Sequence, residues 1–280
     1  MSSYENHNLD NKSLPFIFKE RREYPQSDGF VPTNWHENVE VIRINSGNGI
    51  LSNNGEEIRV SVGDIAVINK NGLHSIFTRE DELDYHYLIV DRSFCLANGF
   101  DTSEISFDTL VRDNRVLAAF RELEEAYSVP EDALYRAVLI RSCVLRLMYL
   151  LCSDHASHGT VEAYNVRVLS YVKDAIAYLR ASYDRDVSLD DAARFVGVNK
   201  FYLSREFHKY TGQSFVSYLN RVRCGAACEL LSEGRISVAE VGERCGFRNR
   251  SYFAKIFRRY VGTSPAKYKP GRYFEEEEEI

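Results

Sequence analysis

The chain has 280 residues, 44% hydrophobic and 27% charged, with a net charge of −6. That is ordinary globular composition, at a length that favours two domains. No run approaches the roughly 20 apolar residues of a membrane span, and the polar start Met1-Ser-Ser-Tyr-Glu-Asn-His lacks the apolar core of a signal peptide, so membrane and secreted classes are set aside and a cytoplasmic location is expected.

Residues 1–13 are polar and carry no pattern of their own. From Phe16 the text turns into short β-rich runs. Val39–Ile44 alternates as a strand, Ser46-Gly-Asn-Gly49 turns, and Asn53-Asn-Gly55 is a strong hairpin signal between Gly49–Ser52 and Glu57–Val60. Ile65–Ile68, a turn at Asn69–Gly72 and Tyr85–Val90 continue the series. Many short strands at regular spacing predict a small antiparallel barrel or jelly roll over residues 14–110.

Within those runs, Asn34-Trp35-His36, then Glu40 and Gly47, are followed by Gly63 and His74. This spacing resembles the two motifs of the cupin family, in which three histidines and a glutamate surround a metal inside the barrel. Here Asn34 stands where the first histidine would be. The resemblance implies a pocket lined by Asn34, Trp35, His36, Glu40 and His74. It is read as a small-molecule site without a metal or other cofactor, because convergent polar side chains in an otherwise apolar cavity are how a small ligand is oriented. The alternative is a metal-dependent cupin enzyme joined to a second domain, since three N/O donors can hold a metal with an open position.

Val116, Ala119, Phe120, Leu123 and Tyr127 fall at helical spacing. After Pro130, residues Leu134, Val138, Leu139, Val144, Leu145, Met148 and Leu151 predict a second helix so apolar that it must bury more than one face. Residues 111–152 are therefore expected to form the seam of a homodimer. Ser153–Thr160 is polar and turn-rich, which predicts a linker over 153–166 with His155 and His158 in solvent. The six cysteines include no Cys-x-x-Cys pair and read as buried free thiols.

From Ser188 the text repeats itself. Ser188 matches Ser237 and Gly197 matches Gly246 at an offset of 49; Phe207 matches Phe257, Gly212 matches Gly262 and Tyr218 matches Tyr268 at an offset of 50. Such a repeat is a duplicated supersecondary unit. Ser188 and Ser237 read as N-caps, with Asp191 and Glu240 completing capping boxes. Gly197 and Gly246 read as left-handed turns, and Asn199 as the cap of a following helix. Two helices joined in this way form a helix-turn-helix, whose second helix reads the DNA major groove. The charge agrees: Arg167–Phe274 holds 20 Lys and Arg against 10 Asp and Glu, whereas residues 1–166 hold 15 against 26. A basic domain beside an acidic one points to a polyanion partner for the former.

Gly197, Tyr202-Leu-Ser-Arg205, Phe207, Gly212, Arg221, Arg223, Gly246-Phe247, Ser251-Tyr-Phe253, Phe257-Arg-Arg259, Pro265 and Tyr268 resemble in order the C-terminal domain of AraC/XylS-type transcription regulators. One departure is Val241-Gly242, where that family usually has Ile-Ala. The exposed faces offer Lys200, Phe201, Ser204 and Arg205 in the first unit, and Arg248, Asn249, Arg250, Ser251 and Lys255 in the second, as contacts to double-stranded DNA. The resemblance implies base contacts from Phe201, Ser204, Arg205, Arg250, Ser251 and Lys255.

The expected fold class is thus α+β: a cupin-like barrel with dimerisation helices, then an all-α domain of two helix-turn-helix units over 167–270 and an acidic tail over 271–280. The expected function is a ligand-responsive, sequence-specific transcription regulator, not an enzyme. By the resemblance it senses a sugar or related metabolite, acts as a homodimer and counts RNA polymerase among its candidate partners.

Overall fold

The computed structural model describes residues 14–24, 33–80, 82–157 and 163–268, with backbone alone at 163–166. The expected disordered N-terminus, His158 and the acidic tail lie outside the described residues. The chain divides into two compact units, with the division at residues 166 and 167.

The first unit runs β1 (Phe16–Glu23), β2 (Val39–Ser46), β3 (Asn48–Asn53), β4 (Glu56–Ser61), β5 (Ile65–Ile68), β6 (His74–Phe77), β7 (Leu83–Val90), α1 (Arg92–Ala97), β8 (Ser106–Phe107), β9 (Leu110–Val111), α2 (Asn114–Ser128), α3 (Arg136–Asp154) and β10 (Ala156–Ser157). Two antiparallel sheets form, ordered β1-β7-β2-β5-β9 and β4-β3-β6, with a small β10-β8 ladder beside them. The β3–β4 hairpin turns at Asn54 and Gly55, both at positive φ (51° and 85°), as the Asn-Gly pair demands.

Strand β2 shows how the sheets are used. Its side chains alternate, as a pleated strand requires. Ile42 and Ile44 join Leu51, Val60, Ala66, Ile68, Ile76, Leu83 and Tyr85 in a core drawn from both sheets. Val39 and Val41 join a second core, in which Val67, Leu88 and Val90 pack with Phe120 and Leu123 of α2 and with Val144, Leu147 and Leu151 of α3. The layers are therefore three-stranded sheet, five-stranded sheet, helices. The antiparallel β-rich fold is present as expected, in the form of a two-sheet sandwich; among the described residues no ladder closes the sheets into a barrel.

Helix α3 begins later than its apolar pattern suggests. Tyr135 is its left-handed N-cap (φ 65°), and Arg136 braces the preceding loop by donating to the Val129 and Tyr127 carbonyls at 2.7 and 3.0 Å. One stripe, from Ile140 through Cys143, Val144, Leu147 and Met148 to Leu151, is buried. Leu134 and Tyr135, just before the helix, and Val138, Leu139 and Tyr149 on it remain exposed. Beyond it, His155 is not in solvent as expected. Its imidazole sits 3.3 Å from Asp113 and 3.6 Å from Asp108, and Ala156 and Ser157 pair with Phe107 and Ser106. Two carboxylates capture a histidine that local polarity alone assigns to a linker.

The second unit is helical: α4 (Ala163–Ala181), α5 (Leu189–Val196), α6 (Lys200–Thr211), α7 (Phe215–Glu233), α8 (Val238–Arg244), α9 (Arg250–Val261) and a short 3-10 turn at Pro265–Lys267. All six cysteines are free thiols; five are buried and Cys152 is half-buried, and burial pushes the Cys245 thiol up to about 12.

Candidate nucleic-acid interface and effector pocket

Each repeat places its second helix by the same local devices. Ser188 caps α5 through the Asp191 amide at 3.2 Å, and the Asp191 carboxylate accepts from the Ser188 amide at 3.1 Å, which completes a capping box. Gly197 turns the chain at φ 73°, and Asn199 caps α6 through the Phe201 amide at 2.8 Å. In the second repeat Ser237 caps α8 through the Glu240 amide at 3.2 Å. The expected reciprocal bond is not how Glu240 is used: its carboxylate accepts from Arg244 at 2.8 Å, one turn along, where a guanidinium supplies a stronger charge-assisted partner.

Gly246 is required twice over. Its φ is 78°, and a Cβ there would lie 2.5 Å from the Tyr183 carbonyl and 3.0 Å from Arg223 Nε. Arg223 itself donates to the Tyr183 and Arg185 carbonyls at 2.8 and 2.7 Å. Gly242 has a different reason: a Cβ would lie 2.8 Å from the buried ring of Phe253, so the departure from Ala lets α9 cross close to α8.

The inner faces of the reading helices are core. Leu203, Phe207 and Tyr210 are buried on α6, and Phe253, Ile256 and Phe257 on α9. The residues expected to contact DNA lie on the opposite, solvent-facing sides. Phe201, Ser204 and Arg205 are exposed, Lys200 is half-exposed, and Arg248, Asn249, Arg250, Ser251 and Lys255 are all exposed. Asn249 has a prior task, since its side chain caps α9 through the Tyr252 amide at 2.9 Å. Phe201 is 74% exposed, an unusual position for a phenylalanine, and Lys200 lies 5.6 Å over its ring. An exposed apolar ring at the start of a reading helix suits contact with a thymine methyl.

The basic candidates are parked on acidic neighbours. Lys200 meets Asp190 at 3.1 Å, Arg205 meets Glu206 at 2.7 Å, Arg248 meets Asp186 at 2.9 Å and Arg250 meets Glu243 at 3.7 Å. Exposed pairs of this kind contribute about 0–1 kcal/mol, so exchanging them for phosphate or base edges costs little. Glu206 differs in being buried, which fixes the base of Arg205 more firmly than the other three.

Between the repeats, α7 is tied at several points along its length. Tyr218 accepts from Arg180 at 3.2 Å, Arg223 holds the loop after α4, Asn220 donates to the Tyr252 hydroxyl at 2.8 Å, and Arg221 stacks 4.5 Å over Tyr260. These ties fix α7 against α4 and α9. The buried Asn220, paired with Tyr252, has no signal in periodicity; a polar residue on the apolar side of a helix is the only hint the sequence carries.

In the first unit the structure brings His36, Glu40 and His74 together. Nε2 of each imidazole lies 3.1 Å from Glu40 Oε2, and the ring centroids are 5.2 Å apart. His36 Nδ1 donates to the Asn38 carbonyl and His74 Nδ1 to the Gly72 carbonyl, both at 2.9 Å. Burial opposes the Glu40 charge, but the facing imidazoles outweigh it and hold the carboxyl well below the usual range. Asn34 joins through its backbone, exchanging two 2.9 Å bonds with His74. Trp35 is buried. The three clustered side chains are also a possible metal donor set, with ligand atoms within 4.8 Å of one another.

A second polar group on the same sheet was missed. The register puts Arg21 opposite Tyr85 and Glu23 opposite Leu83, while Tyr85 and Leu83 belong to the core between the sheets. Tyr85 donates to Glu23 at 3.4 Å, and Arg21 lies 6.0 Å over the Tyr87 ring. Burial pushes the Glu23 carboxyl up, with Arg21 pulling it back. Burial also opposes the Arg21 charge, and Tyr85, Tyr87 and Glu23 outweigh that. Strand β1 reads Phe-Ile-Phe-Lys-Glu-Arg-Arg-Glu, and its charged second half looks solvated until the pairing with β7 is known.

Comparison with known proteins agrees with this division. The model of the AraC-like ligand binding domain matches residues 20–144, and that of a helix-turn-helix domain matches residues 192–270. The HTH-type transcriptional activator RhaS of Escherichia coli is 24% identical over 263 residues, covering 89% of this chain and 90% of that one. The raffinose operon transcriptional regulatory protein RafR of Pediococcus pentosaceus is 24% identical over 217 residues, covering 75% and 76%. The regulatory protein PocR of Salmonella typhimurium is 36% identical over 100 residues, 36% of this chain but only 33% of PocR.

Proposed function

The chain belongs to the AraC/XylS type of transcription regulators, and we propose that it binds promoter DNA through both helix-turn-helix units under the control of a small molecule held in its β-sandwich. The observation that carries this reading is the pair of capped, basic reading helices α6 and α9, anchored on one connector in a chain that also matches a ligand-binding domain. Lys200, Phe201, Ser204 and Arg205 contact one major groove. Arg248, Arg250, Ser251 and Lys255 contact the next, with Asn249 fixing the helix start.

The effector is proposed to be a sugar or related metabolite. Support comes from the likeness to RafR, a raffinose operon transcriptional regulatory protein, and from the polar groups of the sandwich. Asn34, Trp35, His36, Glu40 and His74 are proposed to line the site, joined by Arg21, Glu23, Tyr85 and Tyr87. Effector binding must favour one functional state by its differential affinity for the two. The exposed apolar face of Val138, Leu139 and Tyr149 on α3, beside Leu134 and Tyr135, is proposed as the seam of a homodimer. The reading places the protein in the cytoplasm as a regulator, not an enzyme, with RNA polymerase as a further partner.

Electrophoretic mobility shifts on the DNA upstream of its own and neighbouring operons test the reading. Arg205→Ala and Arg250→Ala are each expected to weaken specific binding about 5- to 150-fold, the loss of one base contact worth about 1–3 kcal/mol. Binding that is equally tight on unrelated DNA and unchanged in both variants would refute it. A thermal-shift screen of sugars and related metabolites then identifies the effector.

A further inference from the structure

One position of the first repeat breaks a pattern that the second repeat keeps. At the offset of 50 that aligns Phe207 with Phe257, Glu206 matches Ile256 and Arg205 matches Lys255. Ile256 is a core residue of the second repeat, 6% exposed. Glu206 is just as buried, at 7%. A carboxylate in an apolar position carries a desolvation cost, and the second repeat builds the same helix pair without it. The substitution goes with its exposed neighbour: beside the buried Glu206 stands an arginine, and beside the buried Ile256 a lysine.

The carboxylate acts on one edge of that arginine. Arg205 Nε donates to Glu206 Oε1 at 2.8 Å, and Nη2 lies 2.7 Å from the same oxygen. The guanidinium carbon sits 5.4 Å over the ring of Tyr202, one turn back on α6. An edge and a face of the group are thereby held, although Arg205 is an exposed residue. Because a guanidinium is planar and rigid, these holds also set the direction of its outer edge, Nη1 with Nη2. That edge carries two parallel donors, which match the O6 and N7 acceptors of guanine in the major groove. A long side chain normally loses rotamer freedom when it binds; here that freedom is already restricted in the folded chain. The Lys255 ammonium is a point charge on a flexible stem, with no such edge to aim.

We propose that Glu206 is a positioning residue that aims the outer edge of Arg205 at a guanine, so that α6 discriminates one base pair of the operator through this pair. The assignment rests on the DNA-binding reading and adds to it a base and the residue that selects it. Glu206 makes no base contact of its own, since it is buried and its carboxylate faces the guanidinium. Arg205 and Glu206 together carry no net charge. Losing the carboxylate therefore adds a positive charge to the reading face, and affinity for arbitrary DNA should hold or rise while discrimination falls.

The test selects binding sites from randomised DNA duplexes with the full chain, then measures affinities for the selected site and its single-base variants. Arg205→Ala should abolish a guanine preference at one position, a loss of about 5- to 150-fold. Glu206→Ile, the residue of the second repeat, should lower the same preference at least about fivefold and leave the other positions as they were. Its affinity for unrelated DNA should be unchanged or higher. Its urea midpoint should not drop, because Arg205 is exposed and no buried charge is left behind. Added to Arg205→Ala, it should cause no further loss at that position. Glu206→Gln keeps an acceptor oxygen and should lose part of the preference; it decides the matter where the isoleucine variant fails to fold. A guanine preference intact in a folded Glu206 variant, or a loss spread evenly over all positions, overturns the assignment while the DNA-binding reading stands. So does a base other than guanine at the position that depends on Arg205. A wild-type chain that selects no sequence overturns both.

Discussion

Gly242→Ala is expected to destabilise the second unit although it improves helix propensity. In a helix interior the change is worth about 1 kcal/mol in favour of Ala. Against this, the new methyl carbon would lie 2.8 Å from Phe253 Cδ1 and 3.3 Å from two further ring atoms, where carbon–carbon contacts settle at about 3.5–4.0 Å. The ring cannot simply swing away: Phe253 is 2% exposed and held between Phe247 and Phe257, with ring centroids at 4.8 and 5.6 Å. Overpacking of this kind costs about 1–3 kcal/mol, so the net loss should be about 0–2 kcal/mol. The first repeat carries Ala193 and Leu203 at the matching positions, both buried. The double variant Gly242→Ala/Phe253→Leu should therefore recover stability beyond the sum of the single changes, with a coupling of about 0.5–3 kcal/mol. Urea titration of the full chain measures this. The only tryptophan, Trp35, reports the first unit by fluorescence, so the second unit is followed as the far-ultraviolet dichroism transition that fluorescence does not share. A single variant more stable than wild type by the full propensity gain, or strict additivity in the double variant, refutes the argument.

Asp64 locks the turn between β4 and β5, accepting from the Ser61 amide at 2.9 Å and from Arg112 at 2.7 Å. Asp64→Asn should cost about 1.5–3 kcal/mol in the transition that Trp35 reports; an unchanged urea midpoint would count against it. Burial works to raise this carboxyl, but the bonds from Arg112 and Ser61 outweigh it and its pKa is lowered. The stabilisation is then complete above the unfolded value of about 3.9 and is lost as pH falls through the lowered folded value, a slope that Asp64→Asn should remove. On the exposed face of α3, Val138→Asp should convert a dimer to monomers in sedimentation velocity; a wild-type chain that sediments as a monomer at the highest accessible concentration would sink that proposal.

The DNA-reading half was legible because its constraints are local. A serine cap, a positive-φ glycine and a 3.6-residue apolar period each act within one helical turn, and the repeat states them twice. What the text did not disclose there depends on pairs far apart in sequence. Asn220 finds Tyr252, 32 residues away, and Arg223 finds carbonyls 38 and 40 residues back. Even Gly242, visible as a departure, acquires its reason only from the ring placed against it by the next helix.

In the β-rich half the alternation predicts the strands but not how their side chains meet between the sheets. The cupin-like spacing already named His36, Glu40 and His74 together; what it did not show is how they meet, with β6 drawn beside β3 and His74 bridged to Asn34. Arg21 and Glu23 are the sharper case. Alternation alone leaves open which side of β1 is inward, and the charges argue for the wrong one. Pairing with β7 decides it, since Arg21 must follow Tyr85 to the side where Ile44 and Leu83 pack. Charged groups retained there carry a desolvation cost that apolar residues would avoid. The polar residues that weaken a β-sandwich core are those most worth testing against a ligand.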